Sequence, residues 1–253
     1  MPIRTHGHGP IRAIAIHGWF NDHAAFEALL PALDAERFTI ALPDVRGYGA
    51  RRGSDGPYTV ATMAEDAIAA ADALGWERFS VIGHSMGGKA ALRAAVVAPG
   101  RVERIVGITP VWAGPAPFDT ETFAFFRGAA DDIATRQAIL DITTGERLPL
   151  AWLRKGAERS VTISNRDAFA AYLESWAGDD FAAEAAGIEV PVLVIGGAHD
   201  RGVPEDVIRS TWLAALKQAR IVVLPSAGHY PMDECPLILA REIIGFLDTS
   251  QSR

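Results

Sequence analysis

The chain has 253 residues, of which 49% are hydrophobic and 22% charged, and a net charge of −7. This is the composition of a globular chain that can bury a large core, as one α/β domain or a core with a modest insertion. The acidic balance and the scattered basic residues, with Arg51 and Arg52 the only adjacent arginines, argue against a nucleic-acid partner. No apolar run approaches the roughly 18 residues of a membrane span. The first nine residues lack the hydrophobic stretch of a signal peptide. A cytoplasmic protein is expected, and the lone Cys235 agrees, since it has no internal disulfide partner. His6 and His8 have no third ligand at metal spacing and read as part of a flexible polar terminus.

Short β-rich runs then alternate with helical ones. Ile11–Ile16 is strand-like and ends at His17-Gly18. Phe26, Leu29, Leu30 and Leu33 have helical spacing within 21–33, where Asn21 and Asp22 are capping candidates. Phe38–Leu42 is a strand ending at Pro43-Asp44, and 59–74 is an Ala-rich helix. Phe79–Ile82 is a strand that leads into Gly83-His84-Ser85-Met86-Gly87-Gly88, and a helix follows to Val97. Arg104–Ile108, Val190–Ile195 and Arg220–Leu224 are further strands, 204–216 is helical, and a last helix covers 237–247. Several strands lack polar alternation, which implies burial on both faces in a mostly parallel, doubly wound sheet.

The stretch 114–187 breaks this alternation. It has no convincing strand, reads as four or five short helices, and carries Phe118, Phe123, Phe125, Phe126, Trp152, Phe169, Tyr172, Trp176 and Phe181. The expected organisation is a core of residues 1–113 and 188–253, with a helical cap at 114–187 over the strand ends. The aromatic residues would serve both as the cap's own core and as pocket walls. An exposed apolar face on the cap would support a homodimer.

Ligands of such sheets sit at the carboxyl ends of the strands. His17, Asp44, Ser85, Asp200 and His229 all fall just past a strand end. Small residues two positions either side of Ser85 suit a sharp strand-to-helix turn that exposes Oγ at a helix N-terminus. A serine needs a base, and His229, in the loop before the last helix, is the best placed. Asp200 is the matching carboxylate, with capping of the next helix as its ordinary alternative. His199 is assigned to loop packing and His17 to a structural place under its loop. The oxyanion would be held by the N–H of Met86 and by that of Trp19, with Phe20 the other choice. Phe20, Trp112, Trp152 and Trp176 are the candidate pocket residues. Cys235 reads as a packed thiol. Neither a metal nor a cofactor is called for.

Taken together, His17-Gly18-Trp19, Asp44 to Gly49, Gly83 to Gly88, Gly197 to Asp200 and Gly228 to Pro231 resemble the α/β-hydrolase-fold enzymes with a helical cap. The resemblance spans nearly the whole chain. It implies a nucleophile Ser85, an acid Asp200, a base His229 and an oxyanion hole from Met86 and the His17-Gly18 loop, and gives the Asp44–Gly49 turn a structural role. Haloalkane dehalogenases and epoxide hydrolases of this fold carry aspartate at the nucleophile position, so Ser85 excludes them. Carboxylesterases, lactonases, C–C hydrolases and cofactor-free perhydrolases remain. His84 before the serine resembles esterases, whereas C–C hydrolases more often have Asn and perhydrolases Phe. A serine carboxylesterase acting on a small-molecule ester is expected. A small-ligand receptor of the same fold is the non-enzyme alternative, against which the intact Ser, His and Asp set argues.

Overall fold

The computed structural model describes residues 2–248. Seven strands form one sheet: β1 (Ile3–His6), β2 (Ile11–Ile16), β3 (Phe38–Pro43), β4 (Phe79–His84), β5 (Val102–Ile108), β6 (Val192–Gly197) and β7 (Ala219–Leu224), in the order β1-β3-β2-β4-β5-β6-β7. Only β1 runs antiparallel, pairing Ile3 with Pro43 and His6 with Ile40. The central strands are sealed on both faces. Ile14, Val81, Ile105 and Val194 all have no exposed surface. This is why their sequences carry no alternation.

The terminal strand β1 departs from the expected flexible terminus. His6 lies within hydrogen-bond distance of the Leu33 carbonyl at 3.0 Å, and His8 pairs with Glu36. Four residues with two outward polar side chains give too short a pattern to read without their partner strand.

Helices cover both faces. They include α1 (Val60–Ala73), capped by Thr59, α2 (Met86–Val97), and, near the chain end, a helix over Pro236–Leu247. The segment expected to be an α-helix at 21–33 is instead a 3₁₀ helix over His23–Ala32, capped by Asp22. Pro31 removes a backbone donor there, and Leu33 N–H bonds to Leu30. The expected helix 204–216 is an α-turn at Glu205–Ile208 followed by a π turn at Arg209–Leu213, within which Trp212 is fully buried.

Between β5 and β6 lie five helices: α3 (Thr120–Gly128), α4 (Ile133–Thr143), α5 (Leu150–Ile163), α6 (Arg166–Gly178) and the short α7 (Ala182–Ala185). Asp119, Asp132 and Asn165 cap the first, second and fourth of these. Helix α6 is fastened to the sheet-bearing part of the chain along its length. Asn165 N–H donates to Gly47 O (2.7 Å), Trp19 Nε1 to Phe169 O (2.7 Å), and Val60 N–H to Ser175 Oγ (2.8 Å). Among the described residues, no helix is long and apolar enough to cross a membrane.

Candidate active site

The C-terminal end of β4 turns into α2 within one residue. Ser85 occupies that turn at φ 53° and ψ −118°, a conformation that a residue with a side chain rarely adopts. The flanking glycines follow from packing. A Cβ on Gly83 would lie 2.2 Å from Gly87 O, and one on Gly87 would lie 2.2 Å from Ile16 O. Both contacts are with backbone, which cannot give way. Ser85 N–H bonds to Ile108 O and Ser85 O accepts from Val111, so the turn is held by the neighbouring strand as well.

His229 Nε2 lies 3.0 Å from Ser85 Oγ, and His229 Nδ1 lies 2.8 Å from Asp200 Oδ2. An ionised carboxylate only accepts, so Nδ1–H donates to Asp200 and leaves the Nε2 lone pair for the serine hydroxyl. The other carboxylate oxygen, Oδ1, accepts from the N–H groups of Gly202 (2.7 Å) and Val203 (2.9 Å). Asp200 therefore shapes the turn after β6 with one oxygen and orients the histidine with the other. Its capping and its orienting places are the same place. Asp200 and His229 are buried, whereas Ser85 is partly exposed. His199 points outward, and only its backbone is tied, to Ala227.

The family model for the alpha/beta hydrolase fold matches residues 14–236. The chain belongs to the alpha/beta hydrolase fold family. It is 30% identical over 249 residues to the pimeloyl-acyl-carrier-protein methyl ester esterase of Nitrosomonas europaea, covering 92% of this chain and 94% of that protein. It is 29% identical over 250 residues to a 2-hydroxymuconate semialdehyde hydrolase of Pseudomonas sp. strain CF600, with coverage of 92% and 81%. A bromoperoxidase from Bacillus anthracis superposes with a TM-score of 0.87 over 97% of this chain and 94% of that one. At 19% identity it shares the fold alone.

In this hydrolase the His229 loop is held from beneath by the serine's own neighbour. His84 is fully buried, and its Nε2 lies 2.9 Å from His229 O, which also accepts from Thr109 Oγ1 at 3.0 Å. Burial, assisted by the nearby His229, pushes the pKa of His84 down to about 3. Nε2–H therefore donates and Nδ1 is a bare acceptor without a partner. That atom faces Gly18, where a Cβ would lie 2.5 Å away. The same Cβ would be 3.2 Å from Ser85 Cβ, so the loop after β2 passes directly beside Ser85. His17 sits below this loop as expected. Val45 N–H donates to its Nε2 (3.1 Å), and its Nδ1–H donates to Gly18 O (2.9 Å). Burial holds its pKa below the usual histidine value.

Trp19, on this loop, is clamped at both ends. Tyr48 O–H donates to its carbonyl (2.8 Å), and its ring stacks on Phe169 at 4.1 Å. Tyr48 thus does the structural work expected of the Asp44–Gly49 turn, together with Asp44, whose carboxylate accepts from the N–H groups of His23 and Ala50. Met86 is the first residue of α2, in the turn whose N–H groups have no intrahelical acceptor.

Ser85 opens on a cavity of about 350 Å³. Phe20, Trp112 and Trp176 line it as expected. So do Phe118, Phe126, Val111, Val203 and Tyr230, which were not singled out as pocket residues. Trp152 does not line it. Its ring stands edge-on to Tyr230 at 5.6 Å. No Asp, Glu, Lys or Arg lines the cavity among the described residues. Asp22, His23 and Asp44 bring potential metal ligands within 4.8 Å of one another. They are already engaged with each other, with backbone donors and with Arg159.

Two outcomes follow. Gly87→Ala should destabilise the fold by about 1–3 kcal/mol or more, read by chemical denaturation. The second concerns acid. His84 has a folded pKa below its unfolded value of 6.5. Its contribution is therefore intact above about pH 6.5 and is lost as pH falls toward 3, because the unfolded chain takes up a proton that the folded one refuses. His84→Gln, which keeps a donor for His229 O, should show a shallower fall of Tm between pH 7 and 4 than the unsubstituted protein.

Proposed function

We propose that this hydrolase is a serine carboxylesterase acting on compact, uncharged esters. The observation that carries the reading is a Ser85–His229–Asp200 relay at hydrogen-bond distance that opens on an uncharged, aromatic-walled cavity. His229 takes the Ser85 proton as Oγ attacks the ester carbonyl. The resulting oxyanion is stabilised by the N–H groups of Met86 and Trp19. His229 then protonates the leaving alcohol, and water activated by the same nitrogen releases the acid. Asp200 holds the imidazole in the required tautomer and stabilises the imidazolium that forms. The mechanism uses neither metal nor cofactor. Residues 114–187 act as a cap that supplies Phe118, Phe126 and Trp176 to the pocket wall.

The cavity lies at the lower end of the usual range for small-molecule sites, which favours short or medium acyl groups. A free carboxylate on the substrate would find no cation in its wall, and burying it unpaired would be costly. This weighs against a substrate like the 2-hydroxymuconate semialdehyde named for one relative. The methyl ester group named for another relative carries no charge itself, although there it belongs to an acyl chain on a carrier protein. The absence of a membrane-spanning helix among the described residues and the acidic net charge are compatible with a cytoplasmic enzyme.

Release of p-nitrophenol from acetate, butyrate, octanoate and decanoate esters tests the reading. Turnover is expected to be highest for the shorter acyl groups. Ser85→Ala should lower kcat on the order of 10⁶-fold and Asp200→Asn on the order of 10⁴-fold. Folded protein that hydrolyses no neutral ester, or a Ser85→Ala variant that retains activity, would overturn it.

A further inference from the structure

Lys89 lies one helical turn beyond Ser85 on α2, with no exposed surface. Among the described residues its ammonium touches no carboxylate. Its three hydrogen bonds go to three backbone carbonyls: Gly114 O at 2.9 Å, Trp176 O at 3.0 Å and Asp179 O at 2.6 Å. An ammonium has three donors and no acceptor, so the match in number is complete. Gly114 is on the segment that leaves β5 for the five inserted helices. Trp176 and Asp179 are at the C-terminus of α6, where the chain turns back toward β6. The carbonyls there form the negative end of the helix dipole, which favours a cation. The two segments are also laced to each other, with Ala116 N–H bonded to Ala177 O and Phe181 N–H to Ala113 O. Lys89 thus sits under the neck of the insertion and ties both of its strands to the helix that begins at the nucleophile.

The same neck forms one wall of the cavity. Gly114, Ala116, Phe118 and Trp176 all line it. We infer that Lys89 is a positioning residue that fixes this wall against Ser85 and so sets the size of acyl group the site accepts. The inference rests on the esterase reading for its substrate. It does not rest on that reading for its geometry. An apolar residue in place of Lys89 would strand the buried Gly114 and Trp176 carbonyls, which regain partners only if the neck separates and admits water, and would take the donor from the part-buried Asp179 carbonyl.

The test compares Lys89→Met with the unsubstituted protein on p-nitrophenyl acetate and octanoate, normalised to active sites titrated with a small phosphonate. Amide exchange is followed in peptides containing Ala116 and Phe181. The expected result is an octanoate KM changed by at least about 10-fold, the discrimination that small changes in an apolar pocket carry. The kcat on acetate should stay within about 3-fold, and exchange at the neck should be faster with β4 and β5 still protected. A merely structural lysine would lower the titrated fraction and leave KM per site and the acyl-length profile unchanged. That result overturns the inference.

If the unsubstituted protein hydrolyses no ester, the esterase reading fails alone, and exchange in Lys89→Met decides the positioning role: faster exchange confined to the neck, with β4 and β5 protected, supports it, and unchanged or globally faster exchange overturns it. If Lys89→Met does not fold, the unsubstituted protein decides. Burial brings the Lys89 pKa down to about 8 against the opposing pull of Asp179 and Asp180, while Arg93, one turn along the helix, is paired with Glu184. Deprotonation leaves fewer donors than carbonyls. The ratio of octanoate to acetate KM should then change as Lys89 loses its proton. A ratio that stays flat through the titration of Lys89 overturns the proposal.

Discussion

Ser85 sits at positive φ at the end of the central strand, and this strained turn is held only because its surroundings leave it no other conformation. Gly83 and Gly87 meet neighbouring backbone where side chains would otherwise stand, and the Ser85 peptide is bonded on both sides to the chain around β5. Thr109, at the end of β5, also adopts a positive φ of 42°. Two adjacent strands thus end in strained residues whose groups serve the site. Strain of this kind costs of order 1–3 kcal/mol per residue, and the doubly covered sheet offsets it.

Around that turn, the buried polar groups solve one problem together. A base on a loop must be held still without acquiring a competing charge. His84 and Thr109 bond the His229 carbonyl, Asp200 bonds its ring, and His17 and Tyr48 hold the loop on the other side of the serine. Burial lowers the pKa of both His17 and His84, and His17 Nε2 accepts from Val45 N–H. In the proposed mechanism, a cationic ring at either place would oppose an imidazolium on His229. Asp200, with three hydrogen bonds to its two oxygens, is the one carboxylate the relay needs.

The inserted helices are joined to this centre unevenly. Helix α6 is bonded to the loop after β2, to the N-terminus of α1, to the turn at Gly47 and to Lys89. Helix α3 buries none of its residues fully. The wall carrying Trp176 is therefore bonded directly to the sheet-bearing part, and the wall carrying Phe126, on α3, meets it through the rings of Trp19 and Trp176 and through Arg127 paired with Glu174.

Much of this was legible in the chain itself. Ser85, Asp200 and His229 could be ordered from sequence because each follows a strand that is apolar on both faces, and such strands align their C-termini on one edge. The glycines around Ser85 were legible because a sharp turn admits few residue types. The antiparallel strand β1 was not, since its pattern has meaning only beside β3. The 3₁₀ and π turns were not, because helical spacing of apolar residues does not report which carbonyl each N–H reaches. Trp152 was assigned to the pocket and stands behind Tyr230, while Phe118 and Phe126 line it. A helix's apolar residues declare that they are buried but not what they are buried against. Sequence alone thus determined the order of the reactive groups and the layers that present them. Tertiary structure decided the distances between those groups, the tautomer of each buried histidine and the walls of the cavity, because these depend on contacts between residues far apart in the chain.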